Sequence, residues 1–228
     1  MATNLNIQKI KVPKTLIVKD REKFIVDYCS GKSIVHIGCV GTREFEKKSL
    51  HENIHDVSKN LVGLDFWEDG IRSLKKKNPN LNLLNMNAEE LDDKQINFKV
   101  DSIIMGEVIE HMGNPKKALE SAKKLMNRDQ CKLLISVPNA FGLRNISSML
   151  LGHTEITRLD HYCYYSYVTM RSLLRDVGMK IDNHFYYSLL SNKKGISYLL
   201  KYFFFNSFLY RLRPGLAEGI IFEVSNEA

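Results

Sequence analysis

Five side chains in this sequence have the types and spacing that move protons or hold metal ions: Glu107, Glu110, His111, Asp160 and His161. Glu107 precedes Glu110 by three positions and His111 by four, so a single helical turn sets Glu107 beside both. Two carboxylates and two imidazoles form a ligand set for Mg²⁺, Mn²⁺ or Zn²⁺, and Glu107, Glu110, His111 and His161 are therefore the metal candidates. Without a metal, His161 or His111 has the chemistry of a general base. A plainer reading stands beside these. Acids gather at helix starts for electrostatic reasons, so Glu110 and His111 would cap and brace a helix. His161 would then be a structural histidine in a wall made by Tyr162, Tyr164 and Tyr165.

The elements around these residues decide where they point. Ser102 to Met105 is apolar and short enough for a buried strand, and it stops at Gly106. Asn114 and Pro115 are an N-cap and first-position pair that opens a helix. The acidic turn between them occupies the carboxyl end of a strand, the place where open α/β sheets bind ligands. The rest of the chain alternates in the same way. A lead-in helix over 20–29 precedes a strand at Ser33 to Ile37 and a glycine turn at Gly38-Cys39-Val40-Gly41. Helices over Ser49 to Lys59 and Asp69 to Lys77 flank a strand at Leu61 to Asp65. A third strand is expected at Leu81 to Met86 and the fourth over Val100 to Met105, with a helix from Pro115 to Met126 after it. A fifth strand follows at Lys132 to Val137, then a helix from Ser166 to Val177 closed by Gly178. Met179 to Tyr187 and Gly219 to Val224 are late strands. Strands alternating with helices predict an α/β fold with a largely parallel sheet.

The glycine turn lets a ligand approach the backbone closely, and Asp65 ends the next strand where an acid accepts from ribose hydroxyls. A dinucleotide site and an S-adenosylmethionine (SAM) site share this logic. The pattern D-x-I-I-x-x-E-V-I-E-H-x-x-N-P over Asp101 to Pro115 resembles the fourth-strand motif of class I SAM methyltransferases. Residues 133–145 and 161–166 add to it. Over roughly 20–190 the chain is similar to the SAM-dependent methyltransferases of bacterial glycan and cell-surface polysaccharide gene clusters.

That resemblance implies a Rossmann-like, three-layer α/β fold with a seven-stranded, mostly parallel sheet whose last strand is antiparallel. It implies SAM as cofactor. His36, Gly38, Cys39 and Gly41 would hold the methionine end, Asp65 and Phe66 the ribose, and Asn87, Ala88 and Glu89 the adenine, with Glu107 beside them. The chain departs from the family in three places. His36 stands where an acid is usual, Val40 and Thr42 where glycines are, and Asn87 where an acid flanks adenine. An Asn carbonyl still accepts from an exocyclic amine. The E-x-x-E-H pattern with a distant His is also similar to the metal-dependent 2′-O-methyltransferases of small-RNA 3′ ends and to quinone O-methyltransferases.

Three functions follow as expectations. The first is methyl transfer to a hydroxyl of a sugar or glycan precursor, with His161 and His111 as catalytic residues. The second is metal-dependent RNA 2′-O-methylation. The third is a degenerate, non-catalytic protein of the same fold. The net charge of +7 suits an anionic partner, yet it is spread over lysines on expected helix faces, and 228 residues leave little room for an RNA-binding module. A small-molecule or glycan acceptor is therefore preferred over nucleic acid. Residues 1–19 read as an N-terminal extension, and 20–228 as one methyltransferase domain with an aromatic and basic insertion near 190–215. Within it, 197–212 is suited to peripheral membrane contact. Met1 to Val12 lacks a signal-peptide pattern, and the four cysteines form no C-x-x-C pair. A cytoplasmic protein, membrane-associated through that segment, is expected.

Overall fold

A computed structural model describes residues 9–41, 48–155, 157–188 and 209–227. The chain folds around one eight-stranded sheet. Its strands are β1 Ile17–Val18, β2 Ser33–Ile37, β3 Asn60–Asp65, β4 Leu83–Asn85, β5 Ser102–Gly106, β6 Lys132–Pro138, β7 Met179–Tyr187 and β8 Gly219–Asn226. They lie side by side in the order β1-β7-β8-β6-β5-β2-β3-β4. Every pairing is parallel except the two made by β8.

The last strand is thus antiparallel, as expected, but the sheet has eight strands rather than seven. The addition is the edge strand β1, whose two residues pair with Tyr186 and Tyr187. A strand of two residues carries no periodic signal. It also draws the end of the segment read as an extension into the sheet.

Helices α1 Arg21–Cys29, α2 Leu50–Val57, α3 Glu68–Lys77, α4 Pro115–Asp129, α5 Leu143–Gly152 and α6 Tyr167–Asp176 cover the sheet. Their starts are written locally. Asp20 caps α1 by accepting from the Lys23 amide, and Asn114 caps α4 by accepting from the Lys117 amide. Ser49 and Glu52 form a reciprocal capping box on α2. The core divides by strand alternation. Val35, Ile37, Ile103, Met105, Leu133 and Ile135 point to one face, onto α4 and α6. Ile34, Ile104 and Leu134 point to the other, onto α1 and α2. His36 shares the second face with Ile34.

The sheet order reverses between β2 and β5, so their carboxyl ends open a crevice. Gly38 lies there at φ +72, and a Cβ on it would fall 2.2 Å from a Val108 methyl. Only glycine allows the turn after β2 to pass the segment after β5 so closely.

Helix α5 was not anticipated. None of its residues is buried, so it lacks the core-facing stripe that reveals a helix in sequence. Residues 189–208, which hold most of the expected aromatic insertion and membrane-contact segment, lie outside the described residues. Of that segment the structure describes Leu209 to Leu212, where buried Tyr210 donates its hydroxyl to Glu218 at 2.7 Å. No helix among the described residues is long and apolar enough to cross a membrane.

Candidate active site

The segment after β5 does not form the single helical turn expected of it. Glu107 sits in the left-handed region at φ +59, and a 3₁₀ turn, Ile109–His111, follows. This break separates the acids. Glu107 turns toward β7, where the Tyr187 hydroxyl donates to its carboxylate. Glu110 turns inward and is fully buried.

Glu110, His111 and His161 converge. Each offers a ligand atom, and these atoms all lie within 4.8 Å of one another. The rings of His111 and His161 meet edge to face at 4.5 Å. The backbone locks the loop carrying His161 onto the turn, because the Tyr162 amide donates to the Glu110 carbonyl at 2.8 Å. Asp160 orients His111: its carbonyl lies 3.1 Å and its carboxylate 3.3 Å from Nδ1 of that ring. Of the four metal candidates the structure brings three together and holds the fourth, Glu107, on Tyr187.

The electrostatics of the cluster are unusual. Neither carboxylate oxygen of Glu110 has a hydrogen-bond partner, and neither has Nδ1 of His161, although all three atoms are buried. Burial pushes the Glu110 carboxyl up to about 8, and the Glu107 charge adds to it. Burial, then His111, lowers His161 from its ordinary value. An imidazole held neutral has a lone pair for a proton or a metal. Buried polar atoms without partners are rare, and a carboxylate and two imidazoles whose ligand atoms lie this close form a donor set for a cation.

The groups expected to hold a cofactor lie along the same sheet edge. Asp65 ends β3 and is buried, and its carboxylate accepts from the amides of Val40 and Trp67 at 2.9 and 3.0 Å. Burial raises its pKa, while those backbone donors pull the other way. Phe66 beside it is 79% exposed, an apolar face open to a ligand. Asn85 fixes this turn by donating to the carbonyls of Asp65 and Phe66 at 3.0 Å each.

Asn87 caps the 3₁₀ turn Ala88–Glu90 by accepting from the Glu89 amide. The Glu89 carboxylate accepts from the Asn114 amide at 3.0 Å. Ala88 and Cys39 are buried, and Gly41 is half-buried. His36 is buried against α2, with its Nδ1 3.1 Å from Nδ1 of His51. Burial lowers His36 well below its usual range, with His51 and Arg21 adding to the effect, and burial takes His51 to about 3. The pair is neutral, one ring donating to the other.

Two participants were not found in the sequence. Arg21 of α1 reaches across to donate to the Ser136 hydroxyl at 3.0 Å, and its guanidinium lies over the Tyr187 ring at 5.9 Å. Nothing local marks a lead-in helix arginine or a strand-end tyrosine as part of a site. The second is a cavity of about 400 Å³ beside α5, lined by Ala140, Asn145, Ile146, Met149, Leu150 and Tyr164 among others. Tyr164 joins it to the cluster, its ring 6.0 Å from that of His161.

Comparison with known proteins agrees with this architecture. A family model described as "Methyltransferase domain" matches residues 12–184. No curated protein matches the sequence. Among solved structures, the chain is similar to a magnesium protoporphyrin IX methyltransferase from Synechocystis PCC 6803 with bound SAH. The two share 14% identity at a TM-score of 0.59, over 90% of this chain and 82% of that one. It is also similar to the plantazolicin methyltransferase BamL, in complex with a triazolic desmethylPZN analog and SAH, at 17% identity and a TM-score of 0.53, over 90% and 82% of the two chains. The small RNA methyltransferase HEN1 matches 91% of this chain at 16% identity and a TM-score of 0.58, but the match spans only 25% of HEN1. At these identities the likeness is one of fold. With three quarters of its length inside one family model and the sheet order to match, this chain belongs to the methyltransferase-domain family.

Proposed function

We propose that this chain is a SAM-dependent O-methyltransferase acting on a hydroxyl of a sugar or glycan precursor. The observation that carries the reading is the convergence of Glu110, His111 and His161, two of them with orphaned buried donor atoms, at the carboxyl edge of the sheet. The methyl group of SAM is already activated toward displacement, so the protein must align the acceptor and remove its proton. A divalent ion held by the three side chains would lower the pKa of a hydroxyl bound to it.

The residues at the sheet edge fit SAM. Gly38 lets the turn after β2 pass close to the segment after β5, Asp65 offers a carboxylate to the ribose, and Phe66 offers an apolar face. Glu107 flanks the crevice. His161, neutral and joined to the acceptor cavity through Tyr164, holds or takes the acceptor proton. The apolar lining of that cavity, Ile146, Met149 and Leu150, suits a compact acceptor better than a polyanion. RNA 2′-O-methylation is the second reading, favoured by the metal-ligand cluster and the net charge of +7. Transfer of radiolabelled methyl from SAM to a panel of nucleotide sugars, lipid-linked sugars and short RNAs separates the two. Label in RNA alone would overturn the first.

Asp65→Ala is expected to weaken SAM binding by roughly 2–4 kcal/mol, the loss of two charge-assisted hydrogen bonds with imperfect additivity. Calorimetric titration checks this. Unchanged affinity would remove Asp65 from the ribose site, and absence of binding by the wild type would remove SAM itself.

A further inference from the structure

We infer that the methyl acceptor is an amphiphile, with its hydroxyl-bearing head at His161 and an uncharged apolar arm in the cavity beside α5. The proposal rests on methyl transfer to a hydroxyl at this site and adds the chemistry of the rest of the acceptor. At about 400 Å³ the cavity is of ligand size. Ile146, Met149 and Leu150 give it an aliphatic wall. Aliphatic carbons offer a sugar no hydrogen-bond partners, so the wall suits a hydrocarbon rather than a further sugar. Glu155 is the one charged side chain among the described residues that line the cavity. An acid there disfavours a phosphate or carboxylate on the arm.

Helix α5 is fixed at both ends in a way that presents this wall. Buried Asn139 pins its start: the side-chain amide donates to the Gly215 and Ala217 carbonyls at 2.8 and 2.7 Å, and the side-chain oxygen accepts from the Phe141 amide at 3.1 Å. Asn145, in the first turn, donates to the Asn139 backbone carbonyl at 3.4 Å. His153 closes the end in the left-handed region at φ +47, its amide donating to the Met149 carbonyl at 3.2 Å. The chain then turns back and brings Glu155 to the cavity. A surface helix ordinarily sets polar residues toward water. Helix α5 instead sets Met149, Leu150 and Leu151 outward, Leu150 at 75% and Leu151 at 88% exposure. Such a surface marks a ligand groove or an interaction site.

Where the cavity leads decides what it receives. The Ala140 amide donates to the Tyr165 carbonyl at 2.9 Å, which stitches the approach to α5 onto the loop carrying His161. Tyr164 of that loop lines the cavity, and its ring lies 6.0 Å from that of His161. The aliphatic wall and His161 thus stand on either side of one tyrosine, and one molecule can occupy both places. A flat lipid surface or a second copy of the chain would cover Leu151 as readily as Leu150. Of the two, Leu150 alone lines the cavity, and this difference separates an arm in the cavity from a covered face.

The test is calorimetric titration of the full chain with methyl, butyl, hexyl and octyl glucoside, each below the concentration at which it forms micelles. Affinity is expected to rise about 2- to 4-fold per added methylene, the scale of burying one aliphatic carbon. Met149→Gln and Leu150→Gln, at exposed positions of α5, are expected to flatten this dependence. Leu151→Gln is expected to keep it. A wild type whose affinity does not rise with chain length, or that binds none of the glucosides, overturns the arm. Equal flattening by Leu151→Gln also overturns it and assigns α5 to a lipid surface or a second copy. Transfer of radiolabelled methyl from SAM to the same glucosides reads the head separately. Affinity that rises with chain length without label in any glucoside would count against the sugar hydroxyl and for the arm. Label entering methyl glucoside as efficiently as octyl glucoside would keep the sugar hydroxyl and overturn the arm.

Discussion

His161→Ala is expected to bind SAM with unchanged affinity and to lose turnover by a factor on the order of 10²–10⁴, the usual contribution of a positioned acid–base group. The reason is spatial. Asp65, Gly38 and Glu107 line the crevice around β2 and β5, whereas His161 sits across the 3₁₀ turn from them, between Glu110 and the cavity beside α5. Single-turnover rates and calorimetry on the same preparation check both halves of the expectation. Normal turnover by the variant would exclude His161 both as a base and as an essential metal ligand.

Chelation then divides what remains. Loss of wild-type activity on chelation, with recovery on Mg²⁺ or Mn²⁺, assigns Glu110, His111 and His161 to a metal site. Activity indifferent to chelators leaves His161 as the base, with Glu110 and His111 as braces of the turn. Glu110→Gln sharpens the distinction, because an amide of the same shape removes the anionic ligand while keeping the packing.

Much of this arrangement was legible in the sequence, for a physical reason. A strand buried on both faces is a near-continuous run, so Ser33 to Ile37 could be delimited to the residue, whereas Met179 to Tyr187, part exposed, was bounded by Gly178 before it. Asn114-Pro115 and Gly178 announced helix ends through capping chemistry that is local by nature. The spacing of Glu107, Glu110 and His111 also exposed the cluster, though not its shape. A helix was assumed where Glu107 takes a left-handed turn, and that turn sends one acid toward Tyr187 and the other into the metal-ligand set.

What was hidden depends on contacts between distant parts of the chain. Arg21 meets Ser136 over 115 positions, and Tyr187 meets Glu107 over 80. Neither pairing leaves a periodicity. His36 is a further case: the residue type at position 36 was visible, but not that His51 of α2 would close over it.

Glu110 also sets an expectation for stability. Its carboxyl has a folded pKa of about 8 against an ordinary value of 4.5, because burial and then the Glu107 charge oppose ionisation. The unfolded chain therefore gives up this proton at lower pH than the folded chain does. The folded state keeps the full benefit of the neutral acid below about pH 4.5 and loses it steadily as pH rises to about 8. At roughly 1.4 kcal/mol per unit, the loss in metal-free protein is on the order of 3–5 kcal/mol.

Other groups titrate in this range, His161 among them, so the informative quantity is the difference between wild type and Glu110→Gln in chelator. The variant is expected to gain on the wild type continuously between pH 5 and 8, measured by denaturant unfolding. Mn²⁺ at pH 8 should raise the wild-type midpoint and leave the variant where it was, since a cation binding only the folded ionised site stabilises it by mass action. A difference curve flat with pH would mean that Glu110 is ionised and solvated in the folded protein. In that case burial would not be what holds the Glu110 proton, and the Mn²⁺ response alone would decide whether Glu110 joins His111 and His161 as a ligand.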